Sequence, residues 1–599
     1  MNILNHRFVL IFTVIASLCV LGRQSDKYFG WTNEKNIKSD HALTIHTDGA
    51  GYYAYLPKWF IYSDSEGFDF LKKITDDYQQ PHFLSGIRID EDYPAGIDKY
   101  YVGTAILSAP LFLINHGVNL LLFGEGDGYS KSYQLTVAFN ALFFYLIGIL
   151  GFIRVLRFFN LNNLVISASI LMITFGTNLN FYTVYFPSFS HVFSFCLIAW
   201  FLYFSLLFGS NSKKRYVIIL AFLLGIVFLV RPTNSIVLIL LPFCFNSLSS
   251  FFKEVKNLVL NHKSLFFGSV LIFLFLISIQ LFINYFQLGK FTFNTYNGES
   301  FSFLLNPKWK EVLFSYKKGY FIYAPIMLLS VLGSYFLFKI NQFLFYGWLL
   351  LSLILLYVTS SWWCWWYGGG LGMRPFVDFL PILFLPISIM LSSLKKFYVL
   401  IILMLSFFSS FLYQVYQIQY NKNILHYDGV TKEQFSSIFL KTDDRFSWML
   451  HFNEQFIDSN FLKIGTQYLS ELGDWNGSSK SNKKILLNFE TSDPIYSIEM
   501  KNSRESKDIA FRFKGEMMLT MPQSNPSFEI SFYKEGEEIK KEHQYIGNRI
   551  NHLNNWENFE KDFIPQIKNN DVDSIQIRLT KGYPITYIKN IEVQQFLER

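Results

Sequence analysis

Two short stretches near the start of the chain carry the residue types that a reaction on a phosphorylated lipid needs. In HTDGAGYYAYLP, Asp48 stands ahead of an aromatic run that includes Tyr52 and Tyr53 and ends at Pro57. In KYYVGTAILSAP, Lys99 precedes Tyr100, Tyr101 and Gly103. A carboxylate can take the proton of an attacking hydroxyl, and a lysine ammonium can hold a phosphate as a point charge. Asp-Gly is also a common turn pair, and taken alone Asp48 reads first as an Asx turn. Its company in the same loop, a lysine flanked by aromatic rings, shifts the reading towards transfer between a lipid phosphate and a hydroxyl acceptor.

Three later segments carry groups that suit the same site. FGTNLNFYTVYFPSFSH brings Asn178, Tyr182, Tyr185 and His191 to the junction of two apolar runs. A histidine at a helix end is more often a structural hydrogen-bonding group than a catalyst, so His191 is expected only as a donor or acceptor contact. Arg231, followed by Pro232, Thr233 and Asn234, reads either as a snorkelling cation or as a phosphate ligand whose guanidinium grips two oxygens. In SSWWCWWYGGGLGMRPFVDFLP, Trp362, Trp363, Trp365 and Trp366 suit an interfacial aromatic belt. A belt does not need Gly368, Gly369, Gly370 and Gly372 beside Arg374. Those glycines permit close backbone approach, Trp362 and Trp366 could stack on a sugar ring, and Arg374 could bind phosphate. Asp378 could orient Arg374 or cap the next helix. Tyr296, Glu299, Lys317 and Lys318 in the loop 287–319 are expected to border the site.

The elements that must hold these groups are mostly membrane helices. The chain has 599 residues, 51% of them hydrophobic and only 16% charged, with 67 Phe and 36 Tyr. From about 133 to 414 it is a series of apolar runs of roughly 20 residues, the length of a membrane-crossing helix. Runs at 8–22, 133–153, 163–181, 191–209, 216–231, 234–250, 265–286, 320–338, 341–359, 376–394 and 397–415 predict about eleven crossings. The stretch 102–123, interrupted by Pro110, Asn115, His116 and Gly117, is expected to skirt the membrane or re-enter it. With it held outside, the cytoplasmic loops collect Arg154, Arg157, Lys213, Lys214, Arg215, Lys253, Lys256, Lys263, Lys339, Lys395 and Lys396, as the positive-inside rule requires. The N-terminus is then cytoplasmic, the run 1–22 an uncleaved first anchor, and the loop 23–132 extracytoplasmic. The net charge of +7 is topogenic under this reading and gives no argument for nucleic acid. Cys19, Cys196, Cys244 and Cys364 lie in or beside apolar runs, so no disulfide framework or zinc site is implied.

Beyond the membrane block at 133–415 the composition turns polar. A partly helical connector is expected at 416–482. At 483–599, alternating stretches such as Ile485–Phe489, Ser527–Tyr533 and Ser574–Leu579 predict an all-β sandwich on the extracytoplasmic side.

In its membrane block and first loop the chain resembles the GT-C class of membrane glycosyltransferases, which includes protein O-mannosyltransferases and the lipid A aminoarabinose transferase. The resemblance implies that Asp48 is the catalytic aspartate and Lys99 the phosphate-binding lysine. It also implies a sugar drawn from a polyprenyl-phosphate donor, and an acceptor that is a glycan, a lipid or a protein. In this chain Thr47 precedes Asp48 where an acidic pair is frequent, and Tyr100-Tyr101 stands where Pro-Pro is frequent. The single aspartate favours a reaction without a metal cofactor, with a divalent ion as the alternative. The expected location is a bacterial inner membrane, with the β-domain in the periplasm. The competing classes are a transporter or lipid flippase and a non-catalytic envelope scaffold. Ion-coupled transporters place ionisable residues near the bilayer midplane, and the runs from 133 onward carry almost none.

Overall fold

The computed structural model describes residues 3–28, 43–62, 67–78, 80–90, 93–296, 299–426, 430, 432–442, 461–468, 485–487, 496–499, 507–519, 527–545, 556–565, 567–580 and 586–598. The chain divides into two compact units, Met1–Ile418 with Tyr427–Lys432, and Gln419–His426 with Glu433–Arg599.

The first unit is helical. Among the described residues, six helices are long and apolar enough to cross a membrane: Gly103–Phe123, Lys131–Phe158, His191–Asn211, Lys263–Leu288, Gln342–Ser361 and Lys396–Asn421. Five more apolar helices are shorter, namely Ile11–Gln24, Asn163–Phe175, Arg215–Val230, Pro325–Ile340 and Leu380–Ser393. Of the runs expected to make about eleven crossings, only some form helices of full spanning length, and prolines account for part of the shortening. A proline lacks the N–H that closes a helical turn, and its ring clashes with the carbonyl four residues back. Accordingly the run 376–394 is cut into Pro375–Asp378, Leu380–Leu383 and Leu385–Ser393, and the run 320–338 breaks around Pro325. The run 234–250 is shortened too. It forms a 3-10 helix, Pro232–Cys244, which bends by 102° into the Leu248–Asn261 helix.

The segment 102–123 is one unbroken helix despite Pro110. It begins against the end of the Arg215–Val230 helix, where a Cβ on Gly103 would lie 2.3 Å from the Leu229 carbonyl carbon. It then runs antiparallel to the start of the Lys131–Phe158 helix. Asn140 donates to Ser108 at 2.6 Å, and His116 Nδ1 lies 2.7 Å from the Tyr133 hydroxyl. Among the described residues its hydrogen bonds to that helix fall between Ser132 and Asn140, beside one end of the bundle. Much of its other side is bare apolar surface, with Leu121 86% exposed.

The second unit contains two antiparallel sheets. One has the order Phe461–Tyr468, Thr586–Glu598, Ile509–Leu519, Glu557–Phe563, with Ile485–Leu487 also paired to Thr586–Glu598. The other has the order Tyr496–Glu499, Ser574–Thr580, Ser527–Lys534, Glu537–Tyr545. Strand alternation places Phe511 and Phe513 of the first sheet and Phe528, Ile530, Phe532, Ile575 and Ile577 of the second in one buried core. Phe513 stacks on Phe528 with ring centroids 4.3 Å apart. The strand Phe461–Tyr468 lies within the stretch expected as a connector, so that stretch contributes to the sheet. The helix Lys432–Ile438 lies in the same stretch.

Candidate active site

Of the residues singled out from the sequence, Asp48, Tyr52, Lys99, Tyr100, Tyr101, His191, Arg231, Tyr296, Trp362 and Arg374 line one cavity of about 800 Å³ in the first unit. Two others do not. Tyr53 follows Tyr52 by one helical residue, a turn of about 100° that points it away from the cavity. Its hydroxyl donates to the Gly128 carbonyl at 2.5 Å, and its ring packs on Phe112 and Tyr129. Trp366 turns towards Lys317, whose ammonium sits 3.8 Å from the ring centroid, and does not reach the cavity wall. Both are corrected to packing residues.

Asp48 is the first residue of the Asp48–Phe60 helix, where the unpaired N–H groups and the helix dipole favour a negative charge. The segment before it is pinned to its surroundings. Gln134 Oε1 accepts from the backbone N–H of both Thr44 and Ile45 at 3.0 Å, and the Ser188 hydroxyl donates to the Thr44 carbonyl at 2.6 Å. Thr47 is held at φ 47°, ψ −135°, a region that strains a β-branched residue. Gly49 is required because Ser188 Oγ would lie 1.8 Å from a Cβ there. Strained and clamped on both sides, the carboxylate is aimed at the cavity and keeps 29% of its side-chain surface.

Its main partner is Arg374, with Nη2 at 2.8 Å from Oδ2. Burial disfavours the charged carboxylate. Arg374, a hydrogen bond from Tyr100, Lys99 and His191 outweigh that cost and hold the Asp48 pKa below its ordinary value. Arg374 is delivered by an unusual loop. Tyr367, Gly368, Gly370 and Gly372 all have positive φ, and a Cβ on Gly370 would meet the Tyr182 hydroxyl at 2.5 Å. Asn178 Nδ2 and the buried Lys318 ammonium donate to the carbonyls of Leu371 and Gly370. The glycines noted in the sequence thus allow a tight fold of backbone that places one guanidinium.

The strip from Asp98 to Val102 is tied down almost atom by atom. The N–H of Lys99 donates to Gly86, that of Tyr100 to Asp98 Oδ1, and that of Val102 to Gln280 Oε1. The carbonyls of Lys99 and Tyr100 accept from Thr295 and Tyr55. The Tyr101 hydroxyl donates to the Phe293 carbonyl at 2.6 Å. Lys99 pairs with Glu299 at 2.9 Å and lies over the rings of Tyr100 and Tyr296. Tyr100 passes between two glycines: a Cβ on Gly51 would sit 2.3 Å, and one on Gly86 2.1 Å, from its ring. Gly86→Ala should displace this ring and also strain a backbone at φ 80°. Loss of the cavity's activity by about 10²-fold is the expected outcome, with the folded protein still recovered in the membrane; unchanged kinetics would deny Tyr100 a part in the site.

A third group is buried behind the cavity wall. Asp378 accepts from His191 Nδ1 at 2.7 Å and from Asn234 at 2.7 Å, and lies 3.7 Å from Arg231. His191 Nδ1 also lies 3.3 Å from Arg231 Nη1, and the residue is among those that line the cavity. Asp378, Glu299 and Lys318 appear in the motifs above only as orienting, capping or bordering groups, and Asn234 without an assigned part. Their partners are far apart in sequence, and the signal that could have found them is charge: each lies at the end of an apolar run where an ionisable or amide group needs a partner. Among the described residues no group of three or more His, Cys, Asp or Glu side chains could hold a metal ion.

The cavity lining is mixed. Asp48, Lys99, Arg231, Arg374 and Glu299 supply its charged groups, and Phe228, Ile236, Phe293, Phe301, Leu355 and Val358 are among its apolar ones. Tyr296 and Trp362, 6.0 Å apart, stand with Tyr52 and Tyr100 along the same walls.

No protein-family model matches the chain, and no curated protein is similar to it in sequence. Solved structures give a loose likeness. The archaeal oligosaccharyltransferase AglB from Archaeoglobus fulgidus, in complex with an inhibitory peptide and a dolichol-phosphate, is 11% identical over 76% of this chain and 62% of its own, with a TM-score of 0.40. The oligosaccharyltransferase of the same organism in its apo form is 11% identical over 72% of this chain and 57% of its own, at a TM-score of 0.38. Its complex with zinc and sulfate is 12% identical over 75% and 59%, at 0.37. This chain spans less than two thirds of those proteins. The likeness is too distant to assign a single residue, so the function rests on the geometry of the cavity.

Proposed function

We propose that the chain is a membrane glycosyltransferase that moves a sugar from a polyprenyl-phosphate donor to a hydroxyl acceptor on the extracytoplasmic side of the membrane. The observation that carries this reading is a cavity of about 800 Å³ whose lining joins a carboxylate and three cations to a set of apolar side chains, a mixture that suits a ligand with both a phosphate and a hydrocarbon part. A nucleotide sugar would leave the wall of Phe228, Phe293, Leu355 and Val358 unfilled.

In this reaction Asp48 accepts the proton of the acceptor hydroxyl as its oxygen bonds to the anomeric carbon. The bond from that carbon to the donor phosphate breaks, and its electron pair leaves on the phosphate oxygen. Arg374 and Lys99 meet that charge, and Arg231 flanks it. Arg374 can do so without releasing Asp48, because a guanidinium has five N–H donors in a planar fork. The rings of Tyr52, Tyr100, Tyr296 and Trp362 supply faces for the sugar and the acceptor. The acceptor is a glycan, a lipid or a protein. In the same reading the helix Gly103–Phe123 skirts or re-enters the membrane without crossing it, the N-terminus is cytoplasmic, and both the cavity and the β-unit face the periplasm of a bacterial inner membrane. Three cations at the leaving group make a divalent metal unnecessary. Transfer should persist within about twofold in excess EDTA, whereas Lewis-acid help from a metal is worth several kcal/mol and its removal would abolish activity.

The test compares cells with and without the chain. Deletion should remove one sugar from a surface glycan, lipid or protein while its polyprenyl-linked donor accumulates. If deletion alters neither pool, the transferase reading falls.

A further inference from the structure

Asp98 is a buried carboxyl that the reaction above does not use. It has no exposed surface, and it ends the strand Tyr93–Asp98 directly before Lys99. Its Oδ1 accepts the Tyr100 N–H at 2.8 Å, while Oδ2 has no hydrogen-bond partner among the described residues. A Cβ on Gly51, in the helix that begins with Asp48, would sit 2.9 Å from the same Oδ1. The carboxyl is thus wedged between the helix that carries Asp48 and the turn that carries Lys99 and Tyr100.

We propose that Asp98 is a positioning residue for the transfer reaction: its carboxyl sets the turn that places Lys99 on the donor phosphate and the Tyr100 hydroxyl on Asp48. The inference rests on the transferase reading. An acceptor at Oδ1 is what the turn needs, and a negative charge is not. Burial pushes the Asp98 pKa up to about 8, against the opposing pull of the Tyr100 N–H, Lys58 and Lys99. The groups that face it are Lys58 and Tyr55 from the Asp48–Phe60 helix, Tyr129 ahead of the Lys131–Phe158 helix, Gln287 from the Lys263–Leu288 helix, and Lys99 and Tyr100 from its own turn. At neutral pH the group holds its proton and the turn carries no stray charge. As pH rises through about 8, the new carboxylate draws the Lys99 ammonium away from the donor phosphate.

Three proteins separate this from a purely structural role, assayed in proteoliposomes with a polyprenyl-phosphate sugar donor across pH 6 to about 9.5, a range that spans the shifted carboxyl. Wild type should show an alkaline loss of kcat/KM centred near pH 8. Asp98→Asn keeps an oxygen acceptor and cannot ionise, so it should retain neutral-pH activity within about threefold and lack that alkaline loss. Asp98→Ala removes the acceptor and should lose about 10²-fold at neutral pH. The inference is overturned if Asp98→Ala is as active as wild type, if Asp98→Asn is as impaired as Asp98→Ala, or if Asp98→Asn keeps the alkaline loss. Asp48→Asn in the same assay distinguishes the two levels: normal transfer by that variant sinks the transferase mechanism, whereas its inactivity beside a normal Asp98→Ala sinks only the role of Asp98.

Discussion

Asp48→Asn is expected to lower sugar transfer by about 10²- to 10⁴-fold, the range of general-base assistance, while the protein folds and reaches the membrane in normal amount. Asparagine has the same shape and can still accept the Tyr100 hydroxyl, so the Asp48–Phe60 helix and its clamps by Gln134 and Ser188 remain. What disappears is the proton acceptor and the charge opposite Arg374. Donor binding should therefore be retained or tightened, because Arg374 then has no competing carboxylate. Rapid-mixing transfer assays and separate measurement of donor retention check the two halves. A variant that transfers normally would reduce Asp48 to the turn residue that its Asp-Gly sequence first suggests.

Arg374→Lys should cost about 10²- to 10³-fold in kcat, the effect of removing one preorganised donor at a developing charge. Lysine keeps the charge but loses the fork that serves Asp48 and the phosphate together. Arg374→Ala should cost more and change the pH profile in a defined direction. Among the opposing influences that hold the Asp48 pKa below 3.8 against burial, Arg374 is the largest. Activity requires the ionised base, so in wild type it should stay flat as pH falls to about 5 and fail only below the ordinary carboxylate range. Without Arg374 the burial cost prevails, the Asp48 pKa rises, and the acid limb moves to higher pH. Stability follows the same sign. A depressed folded-state pKa contributes stability above the unfolded value of about 3.9, and that contribution is lost as pH falls through the folded value. Arg374→Ala should forfeit it at neutral pH. Coincident acid limbs in Arg374→Ala and wild type would show that the ion pair does not govern Asp48.

Much of the site was readable because a hydrocarbon environment permits so few ionisable groups. Asp48, Lys99, Arg231, His191 and Arg374 stand at the ends of apolar runs or in the loops between them, and all five line one cavity. The glycines beside Arg374 were readable for a related reason, since only a close backbone fold explains Gly368, Gly370 and Gly372 together. The strands from Ser527 and Ser574 were readable from alternation alone, because a two-residue period has one buried face.

Other features depend on distances that a linear pattern does not encode. Tyr52 and Tyr53 are chemically alike and adjacent, and only the rotation of the helix sends one to the cavity and the other to Gly128. Trp362 and Trp366 are likewise chemically alike, and only the folded chain puts one on the cavity wall and the other against Lys317. The pairings of Asp378 with His191 and of Glu299 with Lys99 join positions 187 and 200 residues apart. The interruption of the apolar runs has a local reason with a tertiary consequence. Prolines at 325, 381 and 386 divide apolar runs into short helices, and packing against neighbours, Gly333 meeting the Pro386 carbonyl for example, holds the pieces together. By itself the sequence determined that a carboxylate and three cations would lie at the ends of apolar helices, because burial in hydrocarbon forbids them elsewhere. Only the tertiary structure decided which charge meets which, because a pairing energy falls off within a few ångströms and depends on the placement of groups from distant parts of the chain.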